Sequence, residues 1–181
     1  QQNYLVEMLR LNAFDNIVHE HLEYYALLSL SNLLKRHGLE VFDVELRELN
    51  GGSFRTYISF KGKREITKAV KALEKKEKRL GLNKKKIYTQ FAKRIKDNKK
   101  ILLDFIKKQV KEGKTTYLYG ASTRGNTLLQ FFNLDNKLIS FAVERNPEKW
   151  CKKIASVGIP IISEEKARKD KPDYMLVLPW F

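Results

Sequence analysis

The sequence predicts an α/β protein: a small parallel sheet with helices in its last third, preceded by a helical basic segment and an antiparallel strand pair. Three observations carry this. Strand-like and helix-like stretches alternate from Thr115 onward, the pattern of parallel strands joined by crossovers. Two alternating runs, "LEVFDVEL" and "SFRTYISF", flank the glycine pair of "NGGS". Between these regions, apolar residues recur at helical spacing among lysines.

In chain order, Leu5, Met8, Leu9 and Phe14 suggest a short first helix. From Ala26 the spacing of Leu27, Leu30 and Leu34 predicts a second, stopped at Gly38. "LEVFDVEL" then reads as a strand with Val41 on one side and Phe42 and Val44 on the other, and "SFRTYISF" as its antiparallel partner. A helix over Ile66, Val70, Leu73 and Leu80 ends at Gly81. Another is lined by Ile87, Phe91, Ile95, Leu102, Phe105, Ile106 and Val110, with Gly113 as its cap.

Beyond Thr115, "TTYLYG" predicts a strand, "STRGNTLLQFF" a helix and "KLISFAVE" a second strand. "NPEKWCKKI" starts a helix with Asn146 as cap and Pro147 in the first turn. "GIPIIS" is a short strand, Ser163 opens a helix through "SEEKARK", and "YMLVLPW" predicts a buried strand. This is half of a doubly wound fold.

With 181 residues, 43% of them hydrophobic, the chain can bury a sizeable core. No run reaches the roughly 18 apolar residues of a membrane span and no export signal is visible, so a cytoplasmic location is expected. The single Cys151 makes no internal disulfide and no Cys-based metal site by itself. The net charge of +15 is concentrated: residues 61–114 hold 21 Lys+Arg and 6 Asp+Glu, and the rest of the chain is neutral. A solvated helix face accounts for this, and a surface for phosphate-bearing partners is the other reading.

Two stretches carry candidate chemistry. "DNIVHEHLEYYALLSL" groups His19, Glu20, His21, Glu23, Tyr24 and Tyr25 ahead of a helix. His19 and His21 lie two apart without further His or Cys ligands nearby, a poor metal pattern. A polar helix entry is one reading and an acid/base site the other. Histidine exchanges protons near neutral pH, a carboxylate orients its ring, and tyrosines donate to an oxyanion, which suits removing a proton from a carbon beside a carbonyl.

The second stretch, "YLYGASTRGNTLL", puts Gly120 at a strand end and Gly125 at a helix mouth, where backbone N–H groups favour an anion and Ser122, Thr123 and Arg124 add donors. Asn126 stands where a P-loop needs lysine, and Ser122 where a dinucleotide fingerprint needs glycine. Glu144, at the end of the next strand, is placed to meet a ribose hydroxyl. A tight strand-to-helix turn with a surface acid is the plainer alternative.

In order, "FDNIVHEHLEYY", "GLEVFDVEL", "NGGSFRTYIS", "YGASTRGNTLLQFF", "ERNPEKW", "GIPIISEE" and "PDYMLVLPWF" resemble the C-methyltransferases that act on nucleotide-linked keto sugars. The resemblance covers almost the whole chain, but only the end of that family's central S-adenosylmethionine (SAM) domain and its C-terminal domain. It implies three parts: residues 1–62 as the last helix and antiparallel strand pair of a SAM-methyltransferase domain, 63–114 as a basic helical linker, and 115–181 as a Rossmann-like C-terminal lobe of parallel strands and helices.

By the same resemblance, His21 is the general base, Glu20 its neighbouring carboxylate and His19 a substrate-binding residue. Val18 stands where the family often has a tyrosine, leaving Tyr24 or Tyr25 as the oxyanion donor. Asn50, Gly51, Gly52 and Ser53 would approach the sugar, and Gly120, Ser122, Thr123, Arg124, Gly125 and Glu144 would contribute to binding the nucleotide-linked, dTDP-type sugar. No glycine-rich SAM loop or cysteine-rich zinc module is present, so the expectation is a C-terminal portion that is inactive alone, binds SAM at most weakly and works with an N-terminal methyltransferase region. The competing reading is a non-catalytic module whose basic helices contact nucleic acid. Only Tyr88 and Phe91 lie among the central lysines, and both fit the apolar face.

Overall fold

The computed structural model describes residues 1–178, with Asn50 described by its backbone alone. Pro179 and Trp180 of the predicted strand "YMLVLPW" lie outside the described residues. The elements are β1 (Gln2–Asn3), α1 (Leu5–Leu11), α2 (Leu27–Lys35), β2 (Leu39–Arg47), β3 (Ser53–Phe60), α3 (Lys68–Leu80) and α4 (Lys85–Lys111). There follow β4 (Thr116–Tyr119), α5 (Thr123–Phe132), β5 (Phe141–Glu144), β6 (Ile161–Ser163), α6 (Glu164–Asp170) and β7 (Tyr174–Val177). They form two compact units: Gln1–Ala13 with His21–Arg94, and Phe14–Glu20 with residues 95–178.

In the first unit β2 and β3 pair antiparallel, as their alternation predicts, and the two-residue β1 adds to β3, giving the order β1-β3-β2. The predicted side assignment in β2 needs correction. Val41 and Val44 are both buried in one cluster with Tyr4, Leu27, Phe54 and Leu73. The pairing register shifts between Val41 and Asp43, so Phe42 is an extra residue that resets the alternation.

The predicted stripe of α3 is also corrected. Leu80 is exposed, and the inward position one turn earlier belongs to Glu77, which is fully buried. Its Oε1 accepts from the Tyr4 hydroxyl (2.9 Å) and the Leu27 amide (2.8 Å), and its Oε2 from the Leu28 amide (2.8 Å). The carboxylate thus satisfies two orphan amides at the start of α2 and complements that helix's positive end. Burial, and then the Glu77 charge, push the Tyr4 hydroxyl well above the usual tyrosine range. Thr67 caps α3 and Gly81, at φ +68, ends it.

The second unit holds a four-stranded parallel sheet in the order β6-β5-β4-β7, the Rossmann-like arrangement of strands and helices that the alternation predicts. Ser122 caps α5 and Ser163 caps α6 with their side chains. Three expectations are corrected here. "NPEKWCKKI" makes only a single 3₁₀ turn, Pro147–Lys149, although Asn146 caps it as predicted. Beyond it Cys151 is left-handed, and its amide and the Lys152 carbonyl bond to Ile161, which pulls the chain out of helix.

β7 is not a buried strand. It lies at the sheet edge with β4 alone beside it, and Tyr174, Met175 and Val177 are exposed. On α4, Phe105 and Val110 are exposed while Ile106 and Gln109 are buried, so the apolar stripe is narrower than its spacing suggests. Phe105 meets Tyr174 edge-on, ring centroids 5.2 Å apart.

Candidate functional site

Within the second unit the start of the first polar stretch meets the helix that follows the second. Residues Phe14–Asn16 form a 3₁₀ turn packed on α5, with the Phe14 ring stacked on Phe132 at 5.3 Å. Arg124, in the first turn of α5, makes a 2.6 Å ion pair with Asp15, and both side chains are largely buried. The Thr127 hydroxyl donates to the Ile17 carbonyl at 3.3 Å. The segment that ends in His19 and Glu20 is therefore fastened to the helix that follows the glycine loop.

At the end of that segment His19 and Glu20 approach each other, Nε2 to Oε1 3.8 Å, with side chains 80% and 67% exposed. An exposed pair of this kind contributes little stability and leaves both groups open to solvent. His21 belongs to the first unit, where its half-buried ring stands edge-on to Tyr24 at 6.4 Å. Tyr25 is used differently. Its carbonyl accepts from the Leu5 amide, its hydroxyl donates to Glu23, and its ring packs on the core. Of the two tyrosines, Tyr24 is the one beside the histidine.

The "NGGS" turn is a 3₁₀ turn, Leu49–Gly51, followed by Gly52 at φ +107. A Cβ on Gly52 would come within 2.5 Å of the Glu7 Cβ, and the Gly52 carbonyl accepts from the Tyr4 amide. Ser53 is buried, and its hydroxyl accepts from the Gln1 amide side chain at 2.9 Å. These contacts already explain why the turn carries its second glycine. The Asn50 side chain lies outside the described residues.

In the glycine loop, Gly120 is at φ +93 and its amide donates to the Val143 carbonyl. The Ser122 hydroxyl accepts from the Gly125 amide at 3.1 Å. Gly125 is a packing glycine, since a Cβ there would meet Leu178 Cδ1 at 2.5 Å. Glu144 reaches back to the loop: Oε2 accepts from the Ala121 amide (3.2 Å) and from Lys149 Nζ (3.2 Å), and Oε1 from the amides of Arg145 (2.9 Å) and Asn146 (3.2 Å). Burial pushes this carboxyl up, but the Asn146 and Ala121 amides and Lys149 outweigh it and hold Glu144 below the usual range. Lys149 also donates to the Ala121 carbonyl at 2.8 Å, so carboxylate, lysine and loop form one closed knot.

Over residues 48–181 the chain matches the family described as the C-methyltransferase C-terminal domain. The chain belongs to that family. It is similar to the C-methyltransferase NovU of Streptomyces niveus, 35% identical over 178 residues, which is 98% of this chain and 42% of the relative. The chain therefore spans less than half the length of that curated relative.

The family match includes the glycine loop and Glu144, and it begins after the His19–Tyr25 cluster. Sequence reasoning missed two residues that tie these segments together. Lys149 stands five residues after Glu144, a spacing with no helical signature. Asp15 pairs across more than a hundred residues, and no local pattern announces it. Among the described residues no group of three or more His, Cys, Asp or Glu side chains is arranged to hold a metal, and no helix is long and apolar enough to cross a membrane.

Proposed function

We propose that this chain is the C-terminal part of a SAM-dependent sugar C-methyltransferase, and that it binds a nucleotide-linked keto sugar and removes the proton beside its ketone. Residues 1–62 are then the end of a methyltransferase domain, 63–114 the basic linker and 115–181 the substrate-binding lobe. The reading is supported by the family match over residues 48–181 and, within the second unit, by the docking of Phe14–Glu20 on α5, which holds His19 and Glu20 in the same unit as the glycine loop. His21 acts as the base, its ring steadied by Tyr24, with Glu20 the carboxylate next to it in the chain. Tyr24 donates to the forming enolate oxygen. The start of α5, with Ser122 and Thr123, meets the diphosphate of a dTDP-type sugar, while Arg124 holds the histidine-bearing segment in place.

SAM supplies the methyl group in the complete enzyme. The glycine loop of this chain does not fit it: both Glu144 oxygens are filled by amides and Lys149, which leaves no carboxylate oxygen for a ribose diol. The methyl donor accordingly belongs to the methyltransferase region with which this part works.

Deprotonation is separable from methyl transfer and tests the reading directly. Incubated in D₂O with a dTDP-linked keto sugar, the chain should exchange the hydrogen beside the ketone, as followed by proton NMR, and His21→Gln should abolish that exchange. Exchange no faster than without protein, or equal exchange by the variant, would refute the role of His21. Calorimetry with SAM should show no tight binding.

A further inference from the structure

The first unit contains a groove of about 760 Å³ that the glycine-loop reading does not use. Its lining includes Leu5, Leu28 and Leu82 and two rings, Tyr24 and Tyr88. The Tyr88 hydroxyl donates to the Leu82 carbonyl at 2.7 Å, which fixes that ring. Size and mixed lining are those of a small-molecule site.

Two lysines of the lining are placed to meet an anion. Lys35 and Lys78 line it at the last turns of α2 and α3, both exposed, and neither has an ion-pair partner among the described residues. Residues 61–94, which supply much of the lining, carry 14 Lys+Arg against 3 Asp+Glu. Of those acids Glu77 is fully buried and already accepts from Tyr4 and the two amides of α2. Glu74 is the other carboxylate in the lining among the described residues. Lysines and carboxylates are equal in number in that lining, so it is the exposure of Lys35 and Lys78, with Glu77 buried, that lets an anion meet the lysines.

We propose that this groove is a nucleotide site separate from the glycine loop, taking a nucleoside diphosphate with its base against Tyr24 and Tyr88 and its phosphates on Lys35 and Lys78. Asn32 and Asn83, on the same lining, offer both donors and acceptors to a base edge or ribose. Tyr24 also touches the His21 ring, so a ligand here bears on the candidate base through that tyrosine. The site stands whether or not His21 is catalytic.

Calorimetric titration of the whole chain with thymidine diphosphate and adenosine diphosphate tests it, using wild type, the Lys35→Glu/Lys78→Glu double variant and the Ser122→Ala/Thr123→Ala double variant. The expected result is saturable binding of at least one nucleotide, weakened 10-fold or more by the lysine changes and retained in the Ser122/Thr123 variant. Both lysines are solvent-exposed, and unchanged circular dichroism would show that the variant is folded. Absence of binding, or binding insensitive to the lysine changes, overturns the groove. If affinity is lost through Ser122 and Thr123 alone, the groove fails while the reading of the glycine loop survives. Inorganic phosphate competing as well as the nucleotides would remove the role given to the two tyrosines.

Discussion

Asp15 and Arg124, 109 positions apart in the chain, form a 2.6 Å ion pair with little exposure on either side. The pair joins the start of the histidine-bearing stretch to the first turn of α5. Removing one partner strands the other charge, and for a buried pair that costs about 3–5 kcal/mol. Asp15→Asn and Arg124→Met should each destabilise on that scale in urea unfolding, and the double change should recover most of the loss. Additive losses would mean the two charges are not coupled.

Glu77 makes a second prediction. Glutamine keeps a single acceptor oxygen where the carboxylate serves three donors, so Glu77→Gln should cost about 2–3 kcal/mol. Hydrogen exchange at the Leu27 and Leu28 amides should rise with it. Protection unchanged from wild type would count against the capping role.

At Gly125 the prediction is steric. Alanine would bring a Cβ to 2.5 Å from Leu178 Cδ1, and overpacking of this kind costs about 1–3 kcal/mol. Shortening the partner in Gly125→Ala/Leu178→Ala should relieve the clash, so the double variant should be more stable than additivity predicts. Strict additivity in thermal unfolding would contradict the contact.

The acid limb of stability should carry a signature of Asp173. The Thr115 amide, Lys114 and the Thr115 hydroxyl hold its carboxyl down to about 2. A depressed folded-state value means that the contribution is complete above the ordinary aspartate value of about 3.9 and disappears as pH falls through about 2. Asp173→Asn should therefore lower Tm above pH 4, and its difference from wild type should shrink toward pH 2. A difference that stays constant with pH would rule out this ionic contribution.

Much of the fold was legible because its signals are local. The strands β2 and β3, the caps Ser122, Asn146 and Ser163, and the stop at Gly81 follow from preferences that act within a few residues. The inward place of Glu77 was hidden because helical spacing marks a face but not which polar residue on it finds buried donors. The extra residue at Phe42 was hidden because a bulge is defined by the partner strand. At the candidate site, the histidines and the glycine loop each stood out by composition, yet nothing in the sequence showed that Asp15 pairs with Arg124.

The sequence by itself determined the elements, the alternation that makes the sheet parallel, and the residues able to exchange a proton or meet a phosphate. Tertiary structure decided how those residues are used. It gave Arg124 to Asp15 and Glu144 to the loop amides and Lys149, and it set Tyr24 rather than Tyr25 beside His21. Periodicity and capping are short-range properties of the chain, whereas the partner of a buried charge is whatever donor the fold brings within about 3 Å.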